Sequence, residues 1–248
     1  TVTVDDYTPV ASSIGLVADK SAIISGQSVL LTASVVDQHS QSISSGTVTF
    51  KVNGTSVGTG SISSGVATLT TSAFSDGVNQ VTAEIGSVSS DIVNVSVIGV
   101  ALTLGVTGDS FSSSNSTPFI YTGDVLIDWG DSSALETYTG GQLNHYYGDA
   151  GNHEIKFYGN ITSIYSGAFF ENAEIVFVTI GSSITTLDTG CFMLCTGLTN
   201  VDVSSSVAHI EKHCFEKSTD LTEVVLNCDT SLNIVEYNCS WIQDCTSF

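Results

Sequence analysis

Six short apolar runs mark the first hundred residues, at 14–18, 28–36, 46–52, 66–70, 78–85 and 92–97. Turn-rich stretches such as Ser25-Gly26-Gln27 and Ser63-Ser64-Gly65 separate them. Short strands at regular spacing, with turns between, predict an all-β sandwich. Within the runs, Val48, Phe50 and Val52 alternate toward one face, and so do Val81, Ala83 and Ile85. Asn53-Gly54 follows the first set directly and supplies a two-residue hairpin turn. A second, smaller β unit is expected over 100–160, where Val125, Ile127 and Trp129 alternate inward and Gly130-Asp131 makes a turn.

Beyond residue 160 the pattern changes from alternation to repetition. Phe169, Phe192 and Phe215 stand 23 residues apart. In the same register lie Ile161-x-x-Ile164, Ile184-x-x-Leu187 and Val207-x-x-Ile210. So do Ile175-x-x-Val178-x-Ile180, Leu198-x-x-Val201-x-Val203 and Leu221-x-x-Val224-x-Leu226. An altered fourth copy with Val235, Cys239 and Trp241 is displaced by two residues. One such coil cannot bury its apolar edge alone, so this period predicts a stack of coils in a short solenoid.

Three resemblances attach to these segments. Gly26-Gln27-Ser28-Val29-Leu30-Leu31-Thr32-Ala33, Gly46-Thr47-Val48-Thr49-Phe50 and Gly65-Val66-Ala67-Thr68-Leu69 resemble bacterial Ig-like modules, which implies a spacer. The antibody-type Cys…Trp…Cys core is missing, so aliphatic packing must hold this sandwich. Val125-Leu126-Ile127-Asp128-Trp129-Gly130-Asp131, His145-Tyr146-Tyr147 and Gly151-Asn152-His153 are similar to a PKD-type unit, with Ser132 where that family has Gly. The 23-residue copies resemble leucine-rich repeats of the BspA-like type, which implies a microbial surface protein. The expected fold class is mainly β: an Ig-like sandwich over 1–99, a small PKD-like sandwich over 100–160, and a leucine-rich-repeat solenoid of about four coils over 161–248.

Charge narrows the partners. The chain carries 25 acidic residues against five basic ones, all Lys, for a net charge of −20. Such a surface repels phosphate backbones and anionic headgroups, so neither nucleic acid nor direct membrane insertion is expected. No apolar stretch is long enough to span a bilayer as a helix. Thr1-Val2-Thr3-Val4 already reads as a strand, so the sequence is expected to be a piece of something longer.

All six cysteines lie beyond residue 190, which reads as local disulfides in an oxidising compartment, with buried free thiols as the alternative. Cys191, Cys214 and Cys239 share the repeat position of Ala168, where a small buried side chain suffices. Cys195, Cys228 and Cys245 sit off that position. A bond from Cys228 or Cys239 to Cys245 would staple the last coil, although spacing fixes no connectivity.

In each repeat strand the residues between the apolar ones face outward: Phe177 and Thr179, then Asn200 and Asp202, then Glu223 and Val225. This ladder is the candidate binding face, with a surface glycan or protein, or like subunits, as partner. Asp128 and Asp131, with Asp124 nearby, could offer oxygens to calcium, the one cofactor left open. Their spacing does not match an EF-hand loop, and Asp readily bonds its own turn backbone. His209 and His213 fall in a repeat turn rather than on a helix, so their spacing makes no metal pair. No nucleophile elbow or separable carboxylate pair stands out, and no enzymatic activity is expected. The expected role is an extracellular adhesin-like protein; the alternative is a structural subunit of a surface layer, filament or virion decoration.

Overall fold

Alternation governs the first part of the chain in the computed structural model, which describes residues 8–227, the strand Asn233–Ile234 and Cys245. The N-terminal strand expected at residues 1–4, Cys228 and the fourth-copy residues Val235, Cys239 and Trp241 lie outside the described residues. Two units are formed, Thr1–Ile98 and Gly99–Phe248. Among the described residues there is no helix.

The first unit contains β1 (Ala11–Ala18), β2 (Ala22–Ile24), β3 (Val29–Asp37), β4 (Thr47–Val52), β5 (Thr55–Ser61), β6 (Val66–Thr71), β7 (Gly77–Ile85), β8 (Val88–Ser89) and β9 (Val93–Ile98). One sheet has the order β1-β3-β6; the other runs β2-β9-β7-β4-β5, with β8 on β7. In β3, Val29, Leu31, Ala33 and Val35 are completely buried while Leu30 between them is 39% exposed. Val48 and Phe50 of β4 and Val81 and Ala83 of β7 face them in the same core. That core is almost wholly aliphatic, so the unit rests on hydrophobic burial between its sheets. Asn53 and Gly54 have φ of 50° and 79°, the left-handed pair that a tight hairpin needs, and β4 and β5 pair across them. A buried polar knot completes this end. The Asn79 side chain donates to the Ser75 and Gly77 carbonyls, and its oxygen accepts from the Asn53 amide at 2.9 Å.

The second unit contains β10 (Val100–Ser112), β11 (Phe119–Asp128), β12 (Glu136–Tyr138), β13 (Asn144–Ile164), β14 (Ile175–Ile180), β15 (Thr186–Leu187), β16 (Asn200–Val203), β17 (His209–Ile210), β18 (Glu223–Leu226) and β19 (Asn233–Ile234). They form one ten-stranded sheet whose main path is β18-β16-β14-β10-β13-β15-β17-β19, with β11 paired to β13 and β12 to β11. The centre of that path is antiparallel, β10 against β13. Outward from β14 and from β15 every pairing is parallel and advances by one repeat: Phe177 opposite Asn200 opposite Glu223, and Thr186 opposite His209 opposite Asn233. The strand pair β10/β13 therefore starts both ladders at once.

This arrangement differs from the separate small sandwich expected over 100–160. Ala101, Leu102, Leu104 and Val106 of β10, and Ile155 and Phe157 of β13, share one core with the repeats as far as Leu221. The reason lies in β13, a single 21-residue strand that runs through the expected boundary and carries Ile161 and Ile164 of the first repeat. That strand carries one sheet, and with it one core, across the expected boundary.

Down the middle of the repeats runs a column of rings. Phe169 and Phe192 stack at 5.2 Å between centroids, and Phe192 and Phe215 at 5.6 Å, all three fully buried. Phe111 and Phe119, from β10 and β11, meet Phe169 at 6.2 and 6.1 Å and close the column. The turns holding these rings hydrogen-bond from one copy to the next: Phe169 N–H donates to the Cys191 carbonyl, and Phe192 N–H to that of Cys214. Each turn takes left-handed backbone at the same two places, Gly167, Gly190 and His213, then Glu171, Leu194 and Lys217. Such recurrence at non-glycine residues means that the packing of the coil, not the residue type, fixes the turn.

Candidate functional site

The six outward-facing ladder residues come together in one open groove of about 450 Å³ on β14, β16 and β18. Parallel register sets them in two rows across the strands, Phe177–Asn200–Glu223 and Thr179–Asp202–Val225. Val178 and Val201 complete the floor, with side chains buried on the opposite face. Asn200 donates from Nδ2 to Glu223 Oε2 at 2.9 Å, and its own Oδ1 accepts from the Thr199 hydroxyl at 2.8 Å. Asn227 donates to the Asp202 carboxylate. The groove thus has a hydrogen-bonded polar middle and apolar surface at opposite corners, with Val225 40% exposed.

Phe177 is half-buried, for a reason outside its own repeat. Its ring lies across Gly105 of β10, so closely that a Cβ there would sit 2.0 Å from a ring carbon. Only glycine admits the ring, which fixes the aromatic wall of the groove against the starting strand.

The Trp129-Gly130-Asp131 turn has a different use. Trp129 is buried, donates from Nε1 to Glu136 at 2.8 Å and stacks on the His145 ring at 4.5 Å. Asp128 accepts from the Gly130 amide, and Asp131 accepts from the Ser133 amide and contacts His145 Nε2 at 2.8 Å. The Ser133 hydroxyl and amide, then His145, hold the Asp131 carboxyl well below the usual carboxylate range. Asp124 is exposed on β11. These oxygens serve their own turn. Among the described residues no group of three or more His, Cys, Asp or Glu side chains gathers to hold a metal ion.

Cys191, Cys195 and Cys214 are buried free thiols, and Cys245 is half-buried. Cys191 and Cys214 follow Ala168 in the ring-bearing turns, with their sulfurs 3.0 Å apart. Burial pushes the Cys191 and Cys195 thiols far above their ordinary acidity range. Cys195 belongs to a ladder that sequence reasoning missed. Asn172, Cys195 and Ser218 occupy one repeat position, and each donates inward: Asn172 to Ser112 O, Cys195 to Phe169 O and Ser218 to Phe192 O. Cys245 continues it, donating to Phe215 O at 3.1 Å. The signal was a recurring donor at the 23-residue period, hidden because three residue types supply it.

In sequence, a two-sheet aliphatic sandwich precedes parallel strands repeating every 23 residues, an arrangement similar to an Ig-like module followed by leucine-rich repeats. Family comparison gives the particular kinds. Residues 16–98 match the bacterial Ig-like domain (group 3), and residues 144–246 match the BspA type leucine rich repeat region in six copies. The second match opens at Asn144, the first residue of β13, which places that strand with the repeats. No curated protein matches the chain. A similar solved structure is trypsin-activated alpha-2-macroglobulin from Escherichia coli, at 13% identity and a TM-score of 0.30. That likeness covers 67% of this chain and 15% of the length of the other. The two domain kinds are typically non-enzymatic and are consistent with an adhesin-like protein at a surface or outside the cell. No helix among the described residues is long and apolar enough to cross a membrane.

Proposed function

We propose that this chain is an extracellular, non-enzymatic, adhesin-like protein that holds a surface glycan in the groove on β14, β16 and β18, with the Ig-like unit as spacer. The observation that carries the reading is the composition of that groove. Phe177 and Val225 offer apolar surface to the C–H face of a sugar, while Asn200, Asp202 and Glu223 offer hydrogen-bonding groups to its hydroxyls. A volume of about 450 Å³ suits a few sugar rings. A protein partner would need roughly 800 Å² of each surface, more than these three short strands present.

The test is binding of the labelled chain to a glycan array and to whole cells, beside Phe177→Ala, Asp202→Ala and Glu223→Gln. Saturable binding weakened about tenfold or more by each substitution is the expected outcome, since each removes on the order of 1.5 kcal/mol of contact. Binding that survives all three would move the site elsewhere. No binding, together with ordered self-assembly, would favour the structural-subunit alternative.

A further inference from the structure

We infer that Cys191 and Cys214 close a disulfide between adjacent repeats when the chain folds under oxidising conditions. Only the supply of oxidant rests on the extracellular reading; the geometry stands without it. The two sulfurs lie 3.0 Å apart and both residues are fully buried. Their backbones are tied in register on both sides, Gly190 N–H to the Lys212 carbonyl and Phe192 N–H to the Cys214 carbonyl, each at 2.9 Å. Neighbouring chains held by such bonds run about 4.8 Å apart, inside the roughly 4.4–6.8 Å that a disulfide tolerates between Cα atoms. Cys195 is already engaged with the Phe169 carbonyl.

The same burial dictates when the bond forms. A thiol pushed far above its ordinary acidity range and shut away from solvent supplies almost no thiolate, so exchange precedes closure of the turns. One cysteine thiolate attacks a small disulfide such as oxidised glutathione, expelling one thiolate and leaving a mixed disulfide. The second cysteine thiolate then attacks the protein sulfur of that intermediate and expels the other. Two protein S–H bonds are replaced by one S–S bond, and the donor leaves as two thiols. The finished bond encloses one whole repeat, including β16 with Asn200 and Asp202, and is shielded from reductants.

The chain is refolded with mixed reduced and oxidised glutathione, alkylated without reduction, and digested with trypsin. Cleavage at Lys212 and Lys217 releases Cys214 on the short peptide 213–217, whereas Cys191 and Cys195 share the peptide ending at Lys212. The expected product is these two peptides joined, lighter by two hydrogens than their sum, and still joined in the Cys195→Ser variant. Closing one repeat should raise the unfolding midpoint roughly 6–12 °C over the reduced chain. The paired Cys191→Ala, Cys214→Ala variant should lose that increment. Alkylated Cys191 and Cys214 in the unreduced digest, or a bond from either to another cysteine, would overturn the inference. The readout is a covalent bond, so its failure leaves glycan binding standing, and a failed glycan array leaves the bond standing.

Discussion

The two units solve the burial problem in opposite ways. In the Ig-like unit, Val29, Leu31, Ala33 and Val35 of one sheet meet Val48, Phe50, Val81 and Ala83 of the other, so distant segments must all be present before any is covered. In the repeat unit, Phe192 is covered by Phe169 on one side and Phe215 on the other, its counterparts in the neighbouring copies. The first design spreads its contacts over the whole chain; the second passes them from neighbour to neighbour. Exposed ion pairs decide neither. Lys51–Glu84 at 2.6 Å joins half-exposed side chains and is worth under about 1 kcal/mol, far less than one buried ring.

Substitutions can separate the two designs. Phe192→Ala should have the largest effect, about 3–5 kcal/mol, because it empties the middle of the column and uncouples both neighbours. Both tryptophans, Trp129 and Trp241, belong to the second unit by sequence, so tryptophan fluorescence should report its earlier melting while the Ig-like transition stays in place. If both transitions moved together, the units would not be independent. Asn79→Ala should act in the first unit alone, costing about 1–3 kcal/mol by orphaning the Ser75 and Gly77 carbonyls and the Asn53 amide. Calorimetry resolving two transitions would check that assignment. The smallest effect is expected from Gly190→Ala, about 1–2 kcal/mol. Its added Cβ meets nothing closer than 3.7 Å, so only the left-handed backbone at φ 62° opposes it. Denaturant unfolding followed by fluorescence would measure it, and a loss near zero would mean that the turn tolerates relaxation.

Much of this was legible in the chain, for identifiable reasons. The apolar runs at 14–18, 28–36, 46–52, 66–70, 78–85 and 92–97 fall on β1, β3, β4, β6, β7 and β9. By contrast β5, Thr-Ser-Val-Gly-Thr-Gly-Ser, carries almost no apolar signal because it lies at the edge of its sheet. The six groove residues were legible because parallel repeats convert a fixed sequence interval into neighbours in space. What covers Phe177 was not, since Gly105 lies outside the repeat period. Nor was the role of β10: Ala101, Leu102, Leu104 and Val106 read simply as apolar, and burial on both faces of a central strand leaves no alternation to interpret.

The antiparallel pair at the head of both ladders gives the molecule a polarity of growth. Because β10 pairs with β14 and β13 with β15, each flank of the sheet has its first rung fixed by a partner unlike the later rungs. Inserting a further 23-residue copy between existing ones would displace everything downstream by one rung and leave the head untouched. Reach and the length of the display rows could then be changed by duplication, in natural lineages or by engineering, without redesigning the piece on which the first copy is built.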